Sequence, residues 1–262
     1  MNELQDAKAL VQAHYADLEN ATKKDVGQIL ARRMAPDCLW RGVTPFEVQH
    51  GPEAITRTFW DPFLTSFRSV QRREDIFFAG RNEIDGFSSV WTMSMGHLLA
   101  LFDAPFLHIP ATRKLVMLRY AEFNRVEEGQ VVETAFFCDP LHLMTQAGLR
   151  RFPDQTAQHL VQPGPRTHDG LQFDPCSPRE GEATLGLIDR MIGSIDDANL
   201  NPKARTPQEE LAENWTDDMI WWGPEGIGAT YTIDRYIEQH QKPFRHGIGR
   251  RVFNGHLCRM AE

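Results

Sequence analysis

One strand-like stretch, residues 87–97, combines a titratable side chain with an apolar surface. The alternation of side chains along a strand places five residues on one face: Phe87, Trp91, Met93, Met95 and His97. An unperturbed imidazole titrates close to neutral pH, which suits a histidine for proton transfer. We therefore predict that this face lines a ligand pocket with His97 as its polar group. The competing interpretation is a buried, hydrogen-bonded histidine with a structural role only.

Other side chains that could hold a metal or a cofactor lack the required spacing. His97, His108 and His142 form no HxH or HExxH pattern, and no tight carboxylate cluster accompanies them. Neither GxxxxGK[ST] nor GxGxxG occurs, and the segment GPEGIGAT has too few correctly placed glycines to hold a phosphate. We predict no metal site and no cofactor.

Composition limits the partners and the compartment. The 28 lysines and arginines against 36 aspartates and glutamates give a net charge of −8, which disfavours nucleic acid and anionic membrane surfaces. No run of about 18 apolar residues is present, and the first residues are polar and acidic. Four widely spaced cysteines suggest reduced thiols rather than a disulfide scaffold: Cys38, Cys138, Cys176 and Cys258. We expect a cytoplasmic protein.

The first half of the chain changes from a helical period to a strand period. Apolar residues at helical spacing predict a helix from Leu4 to Leu18 and a second from Val26 to Met34. A third begins at Gly51-Pro52 and ends or kinks at Pro62. Four β-rich runs follow, at residues 76–79, 87–97, 115–126 and 131–138, and a short helix ends at Gly148. This order predicts an α+β fold.

An internal repeat is the clearest long-range signal. The segment Asp37-Cys-Leu-Trp40-Arg-Gly42 recurs 181 residues later as Asp218-Met-Ile-Trp221-Trp-Gly223, and Pro62-Phe63 recurs as Pro243-Phe244 at the same offset. Phe77-Phe78-Ala-Gly80 recurs as Val252-Phe253-Asn-Gly255 at an offset of 175. We predict a first module at residues 1–148, a proline-rich linker at 149–182 and a second module at 183–262.

The second module is predicted to be incomplete. Its helices and first strand are present, but the equivalent of Gly148 would fall roughly 60 residues beyond Glu262. A partial sheet leaves an unpaired edge, which favours pairing with another chain. We therefore expect a homo-oligomer or a pseudo-dimer within one chain. A natural truncation, a damaged gene and a trimmed chain all stay open.

The closing half of the first module resembles the SnoaL-like polyketide cyclases of the NTF2-like superfamily. The residues that carry the resemblance are Ile109-Pro-Ala-Thr-Arg-Lys, the strand with Arg119, the hairpin Val126-Glu-Glu-Gly129-Gln-Val-Val-Glu133 and the run from Cys138-Asp139-Pro to Gln146-Ala-Gly148. The resemblance implies a cone of helices on a curved antiparallel sheet, repeated in tandem with the second copy truncated. It also implies an apolar pocket and a metal-independent intramolecular aldol closure.

Within that resemblance, Asp139 occupies the position of the acid/base residue. A carboxylate in an apolar pocket has a raised pKa, and an enolate needs a nearby donor. Ketosteroid isomerase, a relative in fold, shows the same pattern, an Asp base with an oxyanion hole. Asp followed by Pro is equally the signature of a helix N-cap, and both roles can coexist. Glu133 is expected at the pocket rim or as a partner of Arg119.

The leading prediction is a cofactor-independent cyclase or isomerase acting on a small polyketide-like or other carbonyl compound. Asp139 and His97 are its predicted catalytic residues, and the predicted ligand-binding residues are Trp40, Phe59, Phe63, Trp91, Met93, Met95, Arg119 and Phe137. The alternative is a non-catalytic pocket for a small apolar ligand, favoured by Ala135-Phe136 where the family commonly has a Trp. A third alternative is a fusion whose second copy provides only an interface.

Overall fold

The computed structural model describes residues 2–150, 152–159, 162–201, 205–247 and 254–262. It divides the chain into two compact units. Unit 1 contains residues up to 149 together with 164–176 and 258–262, and unit 2 contains the described residues of 150–163 and 177–257. Residues 164–176, expected in the linker, and 258–262, expected in the second module, therefore both belong to unit 1.

The helical pair expected at the start of unit 1 is present. The helices are α1 (Glu3–Glu19), α2 (Val26–Arg33), α3 (Gly51–Ile55) and α4 (Asp61–Ser66). A single turn of π-helix, Thr56–Trp60, joins α3 to α4, so the three segments form one composite helix. Asp61 donates its N–H to the carbonyl of Thr56, five residues earlier. Because Pro62 has no N–H to donate, it interrupts the α-helical bonding, and the chain continues beyond it as α4.

Six strands form the sheet of unit 1. They are β1 (Met34–Gly42), β2 (Val48–His50), β3 (Phe67–Arg81), β4 (Val90–Phe102), β5 (Leu115–Glu127) and β6 (Gln130–Cys138), with a 3-10 turn at Glu83–Asp85. Their order across the sheet is β2-β1-β6-β5-β4-β3. All pairs are antiparallel except β1 with β6. Helix α5 (Pro140–Gln146) follows β6, and Gly148 adopts the positive φ of +79° expected after a helix end.

The two faces of this sheet differ in their surroundings. The inner face carries the residues that join the main core, among them Leu98 and Ala100 on β4 and Val116 and Leu118 on β5. The helices contribute Val11, Leu30, Phe59 and other apolar residues to the same core. The outer face carries the alternate residues of each strand. This packing of helices on one face of a curved sheet is the predicted α+β cone, and the fold class is confirmed for unit 1.

Unit 2 is mostly helical. Its elements are α6 (Pro178–Leu200), α7 (Pro207–Ala212), β7 (Ile220–Trp221), β8 (Thr230–Tyr231), α8 (Ile233–Tyr236), a π-helical turn (Ile237–Gln241) and α9 (Lys242–Gly247). The sequence Thr206-Pro-Gln-Glu209 has the spacing of a capping box, and the two side chains form one at the start of α7. Its core cluster joins Leu211, Ile233 and Ile237. In the parts of the chain that are described, no helix is both long and apolar enough to cross a membrane.

Two local features recur at the repeat offset. Both π-helical turns end two residues before a proline, Pro62 in unit 1 and Pro243 in unit 2. In both units a tryptophan ring lies over the glycine two residues later, so that a Cβ at Gly42 or Gly223 would clash with Trp40 or Trp221. These features support the repeat, which stays a prediction. The second module is predicted to have a strand at Val252-Phe253-Asn-Gly255. Val252 and Phe253 lie outside the described residues, and Asn254 and Gly255 have no strand pairing.

Candidate functional site

A small cavity, here the inner cavity, lies between the helices of unit 1 and the inner face of its sheet. Its polar lining comes from His14 on α1, Glu122 on β5 and Thr134 on β6. Its apolar walls include Trp40, Ile55, Phe59, Trp60 and Phe136. The free volume is about 10 Å³, which is enough for about one water molecule.

Aromatic side chains fill the space around this cavity. Trp40 stacks on Phe136 with ring centroids 5.9 Å apart, and Phe59 meets Phe136 edge to face at 5.0 Å. Phe63 stacks on Phe59 at 5.3 Å and is fully buried. The structure therefore brings three predicted pocket residues together: Trp40 and Phe59 line the cavity, and Phe63 packs behind them.

A buried polar network continues from the cavity across the inner face of β3, β4 and β5. Arg72 on β3 pairs with Glu122 at 2.9 Å, and both side chains are almost fully buried. The guanidinium lies 3.7 Å from the ring centroid of Tyr15 and 4.4 Å from that of Tyr120. This arrangement keeps the arginine charge between two aromatic faces and beside a carboxylate, which compensates its loss of hydration.

Asn124 connects Glu122 to two further polar side chains of the network. Asn124 donates to Glu122 at 3.3 Å and to the Tyr15 hydroxyl at 3.0 Å, and it accepts from Thr134 at 2.7 Å. A carboxylate held by an arginine and an amide has a defined orientation toward the cavity that it lines.

His14 is the second ionisable residue of the cavity. It is only 4 % exposed, and its Nδ1 has no hydrogen-bond partner among the described residues. Burial, with a smaller contribution from the charges of Arg72 and Arg33, lowers the pKa of His14 to about 4; Asp17 opposes this shift. The imidazole is therefore neutral at pH 7. A neutral imidazole offers one N–H donor and one acceptor.

The tyrosines of the network stay protonated at neutral pH. Burial is the largest cause of the raised pKa of both, which reaches about 12 for Tyr120 and lies well above the ordinary range for Tyr15. The Tyr120 hydroxyl shares a 2.7 Å hydrogen bond with Ser94. These hydroxyls act as hydrogen-bonding groups within the inner face.

The predicted pocket face of β4 lies on the other side of the sheet. Trp91, Met93, Met95 and His97 do share one face, but it is the outer face, because Thr92, Ser94 and Leu98 alternate with them and point toward the core. The expectation that this face lines the pocket under the helices is corrected. Alternation shows which residues share a face, but it does not show which face the helices cover. His97 instead approaches Asp75, with Nδ1 and Oδ2 3.6 Å apart.

Both carboxylate oxygens of Asp139 accept hydrogen bonds outside the inner cavity. Its Oδ1 accepts the N–H of His142 at 2.9 Å, the predicted N-cap of α5. Its Oδ2 accepts from Arg119 at 2.6 Å, and the Asp139 side chain is 13 % exposed. Arg119 is the ladder partner of His97, so the structure brings Arg119 near both predicted catalytic residues, on the outer face.

Two other predicted residues also lie on the outer face. Phe137 is 50 % exposed. Glu133 pairs with Arg41 at 2.7 Å and with Arg125 at 3.4 Å, so its expected partnership with Arg119 is corrected. Arg125 lies directly across the ladder from Glu133, whereas Arg119 lies beyond the other end of the β5–β6 ladder.

Sequence reasoning missed His14, Arg72 and Glu122. The alternation of Tyr120, Glu122 and Asn124 on β5 is a usable signal, since three polar residues on one face of a long strand indicate a hydrogen-bonded network. Within the described ranges no group of three His, Cys, Asp or Glu side chains is placed to hold a metal ion.

Comparison with known proteins gives structural similarity only. No protein-family model matches the chain, and no curated protein matches its sequence. Solved structures match about half of the chain. One, from a Jannaschia species, is provisionally described as a SnoaL-like polyketide cyclase; it is 16 % identical, and the match covers 57 % of this chain and 96 % of that one with a TM-score of 0.43.

Two further solved structures also match about half of the chain. TsrD from Streptomyces laurentii is 17 % identical, with coverage of 54 % of this chain and 97 % of its own and a TM-score of 0.43. An NTF2-like protein from Burkholderia thailandensis is 19 % identical, with coverage of 54 % and 96 % and a TM-score of 0.38. At these identities and scores the likeness carries no argument about chemistry.

Proposed function

We propose that unit 1 is a cofactor-independent acid/base enzyme of the cyclase or isomerase type, acting on a small carbonyl compound in the inner cavity. The observation that supports this proposal is the presence of Glu122 and His14, two buried ionisable residues, in one aromatic-walled cavity. Ionisable groups with strongly perturbed surroundings cluster at functional sites. Fold alone would not support a reaction.

The two residues have complementary chemistry. In this proposal the carboxylate of Glu122, held by Arg72 at 2.9 Å, removes a proton beside the substrate carbonyl. Neutral His14, with its proton on the unpartnered Nδ1, donates to the oxygen that becomes negative. A donor aimed at developing charge in a dry cavity lowers the barrier more than it would in water.

The size of the cavity restricts the substrate. A volume of about 10 Å³ is far below the several hundred Å³ of an ordinary ligand pocket. A ligand therefore has to displace an aromatic side chain of the cavity wall. A flat carbonyl compound whose own ring takes the place of that side chain requires the least rearrangement of the surrounding residues. This favours aromatic or polyketide-like carbonyl compounds.

Asp139, with His97 and Arg119 in support, stays the alternative acid/base group. Both oxygens of Asp139 are already engaged, one as the N-cap of α5 and one by Arg119. Glu122 is engaged in a similar way, by Arg72 and Asn124, but it lines the inner cavity beside His14, whereas Asp139 does not. The position in the cavity therefore favours Glu122.

The test measures loss of the α-proton signal of small bicyclic ketones and β-diketones in D₂O by proton NMR. The wild-type protein should accelerate exchange, and Glu122→Gln should lower the rate by roughly 10²–10⁴-fold, the usual contribution of a positioned base. Asp139→Asn should leave the rate within a few-fold. Loss of exchange in Asp139→Asn alone would move the base to Asp139. No acceleration by wild type with any compound would overturn the enzymatic proposal.

A non-catalytic ligand pocket is the second candidate. Two observations favour it: the cavity is nearly filled by side chains, and Asp139 caps α5 and pairs with Arg119. The same NMR samples separate the two candidates. Line broadening of the ketone without loss of its α-proton signal would support binding without chemistry.

A further inference from the structure

Strand β3 forms one edge of the six-stranded sheet, and two of its N–H groups bond to other parts of unit 1. Phe77 donates to the carbonyl of Gly170 and accepts from Gln172, both at 2.8 Å. Ala79 donates to the Glu262 side chain at 3.0 Å, and just beyond β3 Glu83 donates to the carbonyl of Arg259 at 2.8 Å. An edge strand is a template for pairing with a further segment, and here two segments of the same chain occupy it.

Residues 258–262, here the C-terminal segment, are held there by backbone groups as well as side chains. The Arg259 N–H donates to Asn82 at 3.0 Å, and its guanidinium approaches Glu83 at 3.2 Å. Met260 is buried. A Cβ built at Gly80 would lie 2.8 Å from the carbonyl oxygen of Ala261, so the absence of a side chain at Gly80 lets the segment lie close to β3.

Lys8 is buried beside this edge and holds the Glu262 side chain. Its ammonium donates to Glu262 Oε1 at 2.6 Å and to the carbonyls of Gln172 and Asp174, each at 2.9 Å. The Lys8 and Glu262 side chains are only 3 % and 4 % exposed. A buried ammonium that loses its carboxylate keeps the desolvation cost without the compensating attraction. The site therefore requires a carboxylate two residues after the buried apolar side chain.

We propose that the edge of β3 together with Lys8 is a peptide-binding site for a short segment that carries an apolar residue followed two positions later by a glutamate. The occupant is the C-terminal segment of the same chain, which the structure places at this edge. The backbone bond from Glu83 to Arg259 and the burial of Met260 provide affinity, and the pairing of Lys8 with the glutamate provides selectivity.

The test uses a fluorescent, C-terminally amidated peptide of residues 254–262, so that only the side-chain carboxylate of Glu262 is available to Lys8. Anisotropy is measured with the full chain and with a full chain carrying Met260→Ala and Glu262→Ala. In this variant, here the weakened chain, the chain's own C-terminal segment binds the edge of β3 less tightly. The weakened chain should bind the peptide at least tenfold more tightly, because a linked wild-type segment competes at a high effective concentration.

Two controls separate selectivity from general damage. Lys8→Met in the weakened chain should reduce peptide binding at least tenfold, whereas Lys23→Met, at an exposed position, should leave it unchanged. A peptide with Glu262→Gln should also lose at least tenfold, and this second measurement leaves the protein unaltered if Lys8→Met does not fold. Equal binding of the unsubstituted peptide and the Glu262→Gln peptide, or no binding to the weakened chain, would overturn the proposal.

Discussion

Arg72 is the residue on which the inner network depends. Its guanidinium lies between the rings of Tyr15 and Tyr120 and pairs with Glu122. Arg72→Met leaves the Glu122 carboxylate buried without its partner, so we expect the free energy of unfolding to fall by about 3–5 kcal/mol. Urea titration measures this value.

The double variant Arg72→Met with Glu122→Met provides the control for that prediction. Since it removes both charges, it should recover a large part of the lost stability. Equal stability of the single and double variants would show that lost packing on the tyrosine rings, and not an unpaired charge, causes the effect.

The lowered pKa of His14 predicts that the free energy of unfolding depends on pH. Its pKa is about 4 in the folded protein and about 6.5 in an unfolded chain, so between these values the unfolded state binds more protons. The stability that His14 contributes is therefore fully present above pH 6.5 and is lost as the pH falls through 4, with a loss of about 2.5 kcal/mol by pH 4.5. We expect His14→Gln to show a smaller loss of unfolding free energy between pH 7.5 and 4.5 than wild type does. His50→Gln, at an exposed histidine, should behave like wild type.

At the level of elements, Gln146 on α5 completes the edge of β5. Its side-chain amide donates to the carbonyl of Met117 at 2.9 Å and accepts the Met117 N–H at 3.0 Å, in the way a strand would. The pairing of β6 with β5 stops at Tyr120, so Gln146 extends it. Gln146→Ala should lower the unfolding free energy by about 1–3 kcal/mol and speed hydrogen exchange at the Met117 amide. Unchanged exchange at Met117 would contradict this role.

A substitution at Gly42 tests the packing of a tryptophan ring on a glycine, which recurs in both units. Gly42→Ala places a Cβ against the buried ring of Trp40, and we expect a loss of about 1–3 kcal/mol from overpacking. Gly27→Ala in α2 is the control: its Cβ would make an ordinary contact with Thr56, and alanine is the better helix former by up to about 1 kcal/mol. In thermal melts, a lower melting temperature for Gly42→Ala and a higher one for Gly27→Ala would support the proposed packing of Trp40 on Gly42.

At the scale of the whole molecule, the two units have separate hydrophobic cores, so we expect each unit to unfold in its own transition. The core of unit 1 contains many fully buried aromatic rings, among them Phe59, Phe63 and Phe102, whereas the described core cluster of unit 2 joins Leu211, Ile233 and Ile237. Calorimetry should show two transitions, the lower from unit 2. Ile233→Ala should shift only the lower transition and Phe63→Ala only the upper one. A single transition shifted by both variants would contradict independent units.

The C-terminal segment changes the design of any truncation. If unit 2 provides only an interface, deleting residues 183–262 should leave ligand binding unchanged while altering the oligomeric state. Such a deletion also removes Glu262 from Lys8 and uncovers the edge of β3. A change in oligomeric state would therefore not separate an interface on unit 2 from pairing at the exposed edge.

The sequence by itself determined much of the local structure. The helical spacing on α1 and α2, the capping box at Thr206, the glycine after α5 and the Asp139 cap all follow from interactions between residues a few positions apart. Periodicity and the family resemblance together determined the α+β class. These signals suffice because the hydrogen bonds and rotamer limits that cause them are local.

Only the tertiary structure decided which face of the sheet meets the helices. Both faces of β4 carry apolar residues, so alternation alone allowed His97 and Met95 to point inward, and packing placed Thr92 and Ser94 there. The meeting of His14, Arg72 and Glu122, and that of Lys8 with Glu262, join residues distant in sequence. Nothing in their spacing along the chain encodes such contacts, because they arise only when several elements pack together.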